Sequence, residues 1–439
     1  MSRRRVAVVG GGITGLAAAY ELRAQAPDAE IVVFEAADRL GGKIATRTFA
    51  GRAIDEGADA FLARVPWGLE LCRELGIDTE LVSPAQQSAY VWFDGALRRL
   101  PAGLVLGVPT DLEAVAASGI VAEPIVVRPA SEPLAPDADI AVGALVRAQL
   151  GDAVFERLVD PLLGGINAGD GDRLSLRAAA PQLAAAAERD RDLVAALRAQ
   201  PPAAPGPVFY APVGGMGAIV DALVDALTAN GVELRRDTPV DDLGALAADM
   251  VVVTVPASRT ADLVRSSAPS AATLLDGIAY ASVVLVTMAY PNAAIARPLD
   301  ASGFLVPRTE GLLMTASSWS SSKWAHLAGD ESTVVRVSAG RFGDERAVSL
   351  DDAALVNALV DEVAGTTDIA GEPIEVRVHR WPRSFPQYEP GHLERVAEIE
   401  RAMADSLPHV VLAGAALRGL GVPACIRQGR EAAHALLAR

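Results

Sequence analysis

Residues Val6–Lys43 read VAVVGGGITGLAAAYELRAQAPDAEIVVFEAADRLGGK, and this stretch decides the fold. Four apolar residues, Val6–Val9, run into Gly10-Gly11-Gly12-Ile13-Thr14-Gly15 and then into a helix-forming run, Leu16–Ala26. The pattern predicts a strand, a tight glycine turn and a helix. Gly10 permits the turn, Gly12 lets backbone approach a pyrophosphate, and Gly15 lets the helix pack closely on the strand. Phosphates would then meet free N–H groups at a helix N-terminus, where the dipole favours negative charge. A second strand, Glu30–Phe34, leads to Glu35, placed to grip an adenosine ribose by its hydroxyls. A purely structural βαβ unit would need the same turn, so the acidic residue at its expected distance carries the dinucleotide reading.

Directly after Glu35 comes Ala36-Ala37-Asp38-Arg39-Leu40-Gly41-Gly42-Lys43, a second glycine pair. The pattern E-x-x-x-R-x-G-G resembles FAD enzymes of the flavin amine-oxidase-like superfamily, and the resemblance favours FAD over NAD.

The chain has 439 residues, enough for two or three domains. Its 39 basic and 55 acidic side chains give a net charge of −16, which argues against nucleic acid or an anionic membrane surface as the main partner. Two cysteines, Cys72 and Cys425, form no disulfide framework or metal cluster and fit a reducing cytosol. The opening Met1-Ser2-Arg3-Arg4-Arg5 imitates a signal peptide, but the apolar run after it is broken by glycines and no cleavage site follows. No run approaches the length of a membrane span; peripheral attachment stays open.

Along the chain, Gly51–Phe61 reads as a strand turning at Gly57, and Trp67–Leu75 as a helix closed by Gly76. Tyr90–Pro101 reads as a hairpin turning at Asp94-Gly95, with Arg98 and Arg99 just beyond it. Arginine suits a carboxylate because its planar fork engages both oxygens; a solvated strand end is the competing reading. Residues 122–139 read as an exposed connection, followed by a helical region, Val142–Ala199, interrupted at Pro161 and Pro181. Between those prolines Leu162–Asp170 is glycine-dense and apolar. It would let a flat ligand approach backbone, or form a tight turn between helices. Pro201–Pro207 is a boundary. A helix from Ala218 to Ala229 and strands at Val232–Leu234 and Asp249–Val255 return the chain to the first domain. Longer strands (Ser282–Tyr290, Gly303–Val306, Thr333–Ser338, Ile374–His379) with a helix at Asp351–Ala364 predict an antiparallel sheet. A buried strand, Val410–Ala415, and a helix, Ala424–Leu437, close the chain.

Four further segments are similar to the oxygen-dependent porphyrinogen oxidases. They are Leu97–Gly103, Val108–Leu112, the block Asp160–Asp170 with Leu174–Leu176, and Trp381–His392 together with Gly419–Ile426. Two departures stand out: Asn167 replaces a usual aromatic residue, and Ala424 a usual acidic one. The resemblance implies an α/β fold with a discontinuous Rossmann-like FAD-binding domain (residues 1–85, 205–265 and 396–439), an antiparallel-sheet substrate domain (86–105 and 266–395), and a helical, membrane-associated domain (106–204).

The activity it implies is oxidation of coproporphyrinogen III to coproporphyrin III in haem biosynthesis, in three two-electron steps, each passing a hydride from a meso carbon to flavin N5. Oxygen is then reduced to hydrogen peroxide. Protoporphyrinogen IX is the alternative substrate; a flavin amine oxidase and a non-catalytic flavin- or porphyrin-binding protein are the rival functions. No side chain is assigned a catalytic role beyond the flavin, and no metal site is expected. Carried over by position, Gly10–Gly15, Glu35, Ala36, Arg39, Gly42, Lys43, Gly57, Ala58, Asp59, Ala60, Val240, Trp381, Gly414, Ala415, Leu420, Gly421 and Val422 surround FAD. Trp381 could equally be core. Arg98, Arg64, Asp59 and Asn167 are carried over to the substrate. The resemblance also suggests ferrochelatase as a partner and a cytoplasmic location; oligomeric state is left open.

Overall fold

A computed structural model describes residues 3–201 and 206–438. Most of the Pro201–Pro207 boundary, and Met1 and Ser2, lie outside the described residues. The chain forms two compact units, one of Met1–Ser83, Gly206–Ala279 and Leu393–Arg439, the other of Pro84–Pro205 and Tyr280–His392.

The first unit is built on a five-stranded parallel sheet. Its central strand β1 (Arg5–Val9) pairs with β2 (Glu30–Phe34) on one side and Met250–Val253 on the other; Glu233–Arg235 and Val410–Leu412 are the edges. Val6–Val9 are buried, as a strand covered on both faces must be. Three separate stretches of sequence thus supply one sheet. The helix α1 (Ile13–Gln25) follows β1 and starts three residues earlier than its apolar run suggests. It lies against the C-terminal helix Val422–Leu437, and Gly429 marks their contact: a Cβ there would sit 2.3 Å from the Thr14 carbonyl oxygen.

The second unit holds a seven-stranded sheet in the order Glu375–Pro386, Tyr280–Pro291, Ser332–Ala339, Met314–Ser318, Gly303–Leu305, Tyr90–Phe93, Ala96–Arg99. All neighbours are antiparallel except Gly303–Leu305 with Tyr90–Phe93, which run parallel. That pairing joins segments some two hundred positions apart, so no local signal announces it. The hairpin turns at Asp94 and Gly95, both with positive φ (52° and 69°), as a two-residue turn of this hand requires. Arg98 and Arg99 lie within its second strand rather than beyond it, opposite Val91 and Tyr90.

Two apolar cores fill this unit. The helix Asp352–Thr366 and the sheet bury Val284, Phe304, Val335 and Leu359; the helices between residues 142 and 198 bury Val146, Phe155, Leu158 and Leu183, with Val91 reaching in from the hairpin. Pro161 does not interrupt the helical region. It lies inside a continuous helical run, directly after a π-helical turn, Phe155–Val159, whose wider winding changes the backbone bonding where the proline lacks an N–H. The glycine-dense segment is therefore mostly helix, ending at Ala168 in a left-handed conformation (φ 46°).

Candidate cofactor cradle

The first unit places two glycine loops against each other at the carboxyl end of β1, where the strand order reverses and open α/β sheets bind ligands. Gly10 has φ +107° and donates its N–H to Phe34 O at 2.8 Å. A Cβ at Gly15 would lie 1.9 Å from Gly10 O, so helix and turn approach too closely for any other residue. At Gly12 the space is open: the nearest atom to an added Cβ is Gly42 Cα at 3.9 Å. Gly41 donates to Gly11 O at 2.8 Å, joining the second loop to the first.

Arg39 shapes that second loop. Its guanidinium donates to the carbonyls of Gly42 (2.5 Å) and Ile44 (3.1 Å), folding residues 40–44 around itself. Glu35 is anchored as well: Oε2 accepts from Gly11 N–H at 2.8 Å and Oε1 from Ala37 N–H at 2.9 Å. Each carboxylate oxygen has a second lone pair, so the anchored side chain can still accept from a vicinal diol.

Two helix N-termini meet here. Four helices are capped by Asp111, Ser175, Asp192 and Asp351 side chains; α1 and Val422–Leu437, like several others, have no side-chain cap, and these two start at glycines, Gly12 and Gly421. Their first N–H groups are thus left for an anion. Thr14 and Cys425 interact at this junction, with Lys43 near the thiol. Lys43 is accessible to solvent, yet the protein around it pushes its pKa down. A side chain both accessible and desolvated lines a concavity. Gly414 (φ +130°) leaves further open space, with no atom nearer than 3.6 Å to an added Cβ. Open backbone, paired helix dipoles, a cation and an anchored carboxylate suit a dinucleotide's pyrophosphate and ribose.

Residues 13–437 match the family of flavin containing amine oxidoreductases. The chain belongs to that family. It is an oxidoreductase, and its cofactor is FAD. Over the whole chain it is 39% identical to the coproporphyrinogen III oxidase of Mycobacterium leprae (strain TN), covering 99% of that protein. It is 31% identical to the coproporphyrinogen III oxidase of Bacillus subtilis (strain 168), over 98% of this chain and 97% of the other. A crystal structure from Exiguobacterium sp. 255-15 superposes with a TM-score of 0.89 at 30% identity, each chain covered in full.

The other residues singled out in the sequence fall in different places. Gly57–Ala60 follow the strand Arg52–Asp55 in the first unit, with Ala58 exposed and Asp59 half-buried; Arg64 is exposed on the same unit. Val240 offers its carbonyl to Arg259 at 2.8 Å. In the second unit Arg98 lies over the Phe93 ring, 5.8 Å from its centroid, and donates Nε to Phe93 O at 3.3 Å. Asn167 is 3% exposed; its side-chain Nδ2 donates to Leu163 O and its backbone carbonyl accepts from Gln387 Nε2. Trp381 is half-buried, 4.3 Å from the His379 ring, and packs with Phe342 and Phe385 around Ala168. His392 is buried and stacked on Tyr388.

Sequence reasoning missed Thr46 and Asp55, whose side chains bond one another while Asp55 accepts from Met216 N–H at 2.9 Å, fixing the start of the helix Gly217–Ala229. It also missed Arg308 and Arg341, which no motif marks. Among the described residues no helix is long and apolar enough to cross a membrane, and no group of three or more His, Cys, Asp or Glu side chains has the arrangement of a metal site.

Proposed function

We propose that this protein oxidises coproporphyrinogen III to coproporphyrin III, with oxygen as acceptor and hydrogen peroxide as second product, in haem biosynthesis. The full-length likeness to the coproporphyrinogen III oxidase of Mycobacterium leprae carries this reading. Bound FAD supplies the chemistry by accepting the substrate's hydrogens and passing them to oxygen. The protein's task is to bind, orient and exclude water. In the cofactor's seat, the uncapped N-termini at Gly12 and Gly421 receive the pyrophosphate, Glu35 the ribose, and Lys43 adds a cation. Arg39 acts through the loop it folds, while Gly57–Ala60, Val240, Trp381, Ala415 and Leu420 complete the seat. For the substrate, Arg98 and Arg64 offer cations to propionates, Asp59 an acceptor to pyrrole N–H groups, and Asn167 the shape of a helix end.

The domain scheme carries the same status. A helical domain spans residues 106–204, a substrate domain residues 86–105 and 266–395, and the protein works in the cytoplasm with ferrochelatase as the consumer of its product.

Side-by-side turnover of coproporphyrinogen III and protoporphyrinogen IX, followed by porphyrin fluorescence, tests the assignment. Coproporphyrinogen is expected to be used at the higher kcat/KM. Equal or reversed preference would move the protein to the protoporphyrinogen branch, and oxidation of amines with neither tetrapyrrole consumed would remove it from both. Arg98→Ala is expected to raise KM with flavin content intact; an unchanged KM removes Arg98 from the substrate site.

A further inference from the structure

The seven-stranded sheet of the second unit has one face sealed and one partly exposed. Val284, Val286, Val335 and Val337 are fully buried in the core that the helix Asp352–Thr366 closes. Side chains alternate along a strand, so Leu285, Thr287, Arg336 and Ser338 point to the other face. There Leu285, Arg336 and Ser338 are only half-buried. Strand register lays two rows across this face. In one, Arg377 pairs with Thr287, Thr287 with Arg336, Arg336 with Ser318, and Ser318 with Gly303. In the next, His379, Leu285, Ser338, Ala316 and Leu305 pair in the same order. The first row consists of hydrogen-bond donors ending at a glycine; the second is mostly apolar.

Ser318 Oγ, beside Arg336 in the donor row, is buried with no hydrogen-bond partner among the described residues, and a buried hydroxyl of that kind calls for an acceptor. Among the described residues of these strands, Glu375 is the one carboxylate on this face, 3.7 Å from Arg377. A guanidinium carries several N–H donors, so a protein partner of this kind leaves a fork for a ligand carboxylate. The helix Asp160–Asn167 walls one end of the floor: a Cβ at Gly165 would lie 3.5 Å from Leu305, and Gly165 and Ile166 are exposed. Arg98 belongs to the same face, opposite Val91, which pairs with Leu305 and is fully buried under the helices. Four strand spacings, about 19 Å, separate the strand of Arg98 from that of Arg336, with apolar side chains between them.

Cations on either side of apolar ground suit carboxylates on opposite edges of one macrocycle. Coproporphyrinogen has that distribution, since it carries propionates where protoporphyrinogen carries vinyl groups. We propose that Arg336, with Arg377 and Ser318 beside it, is a specificity-determining residue that binds the propionates coproporphyrinogen has and protoporphyrinogen lacks. The inference rests on the porphyrinogen reading above and names the part of the chain that chooses between its two substrates. A planar fork engages a carboxylate bidentately, and the neighbouring hydroxyl adds a donor.

The test uses the flavin-loaded protein and steady-state oxidation of coproporphyrinogen III and protoporphyrinogen IX, read by porphyrin fluorescence. The unsubstituted protein is expected to prefer coproporphyrinogen. Arg336→Met is expected to lower the ratio of the two kcat/KM values about tenfold or more, chiefly through a raised KM for coproporphyrinogen, at unchanged flavin content. Arg377→Met, on the edge strand, reads the same row if the Arg336 variant does not hold flavin, and the same selective loss is expected. A preference retained in both variants, or equal losses for the two substrates, would overturn the assignment while leaving the function standing. A protoporphyrinogen preference in the unsubstituted protein would overturn the choice of substrate and the role of the row together. Oxidation of neither tetrapyrrole would overturn the porphyrinogen reading itself.

Discussion

Glu35 holds the Gly11 and Ala37 N–H groups on its two carboxylate oxygens, so it organises the turn whether or not a ribose is bound. Glu35→Ala removes both acceptors and is expected to weaken FAD binding about ten- to hundredfold, the worth of one or two charge-assisted hydrogen bonds; titration of apoprotein with FAD by flavin fluorescence measures it. Cys72 is fully buried, and burial pushes its thiol up to about 12. Because the folded pKa lies above the unfolded one, the contribution to stability is complete below the unfolded thiol's pKa and is lost as pH rises from there toward about 12. The slope is about 1.4 kcal/mol per pH unit. Cys72→Ala should flatten that alkaline loss in denaturant titrations at stepped pH. A slope unchanged by the substitution would show that another group sets it.

Glycines at element junctions separate two physical costs. Gly95 sits in the hairpin at φ +69° with nothing within 4 Å of an added Cβ, so Gly95→Ala should cost about 1 kcal/mol, from conformation alone, and leave flavin content unchanged. Gly429 lies where two helices cross, and a Cβ there would meet backbone at 2.3 Å. Gly429→Ala should therefore cost about 1–3 kcal/mol by overpacking and shed flavin too, since the same helix begins at Gly421, in the proposed flavin seat. Thermal melts with flavin absorbance distinguish the two; equal losses would mean the crossing yields more readily than its geometry indicates. At this scale the helix around Pro161 also shows why a proline in sequence is ambiguous: here the helical run continues through it, after the π-helical turn Phe155–Val159.

Taken whole, the first unit draws its sheet from the chain's beginning, middle and end, so the cofactor seat exists only when all three stretches have assembled. Flavin should then act as a folding ligand. Stripping FAD is expected to lower Tm, and restoring it at a hundred times Kd to return about 2.7 kcal/mol, read by thermal melts across an FAD series. A melt indifferent to added FAD would separate the cradle from the flavin.

By itself the sequence determined what depends on neighbours a few residues apart: the glycine turn with its strand and helix, the acidic residue at the end of the second strand, the Asp-Gly hairpin and the apolar runs of buried strands. These are legible because turn conformation and apolar periodicity are local constraints on the backbone. Tertiary structure alone decided that Arg39 clamps a loop, that Gly303–Leu305 runs parallel to Tyr90–Phe93, that Thr46 and Asp55 hold a helix start some 160 positions away, and that Arg341 is buried with its Nε unbonded among the described residues. Whether a charge is solvated, paired or stranded depends on which distant segments fold over it, and nothing in the residues beside it records that.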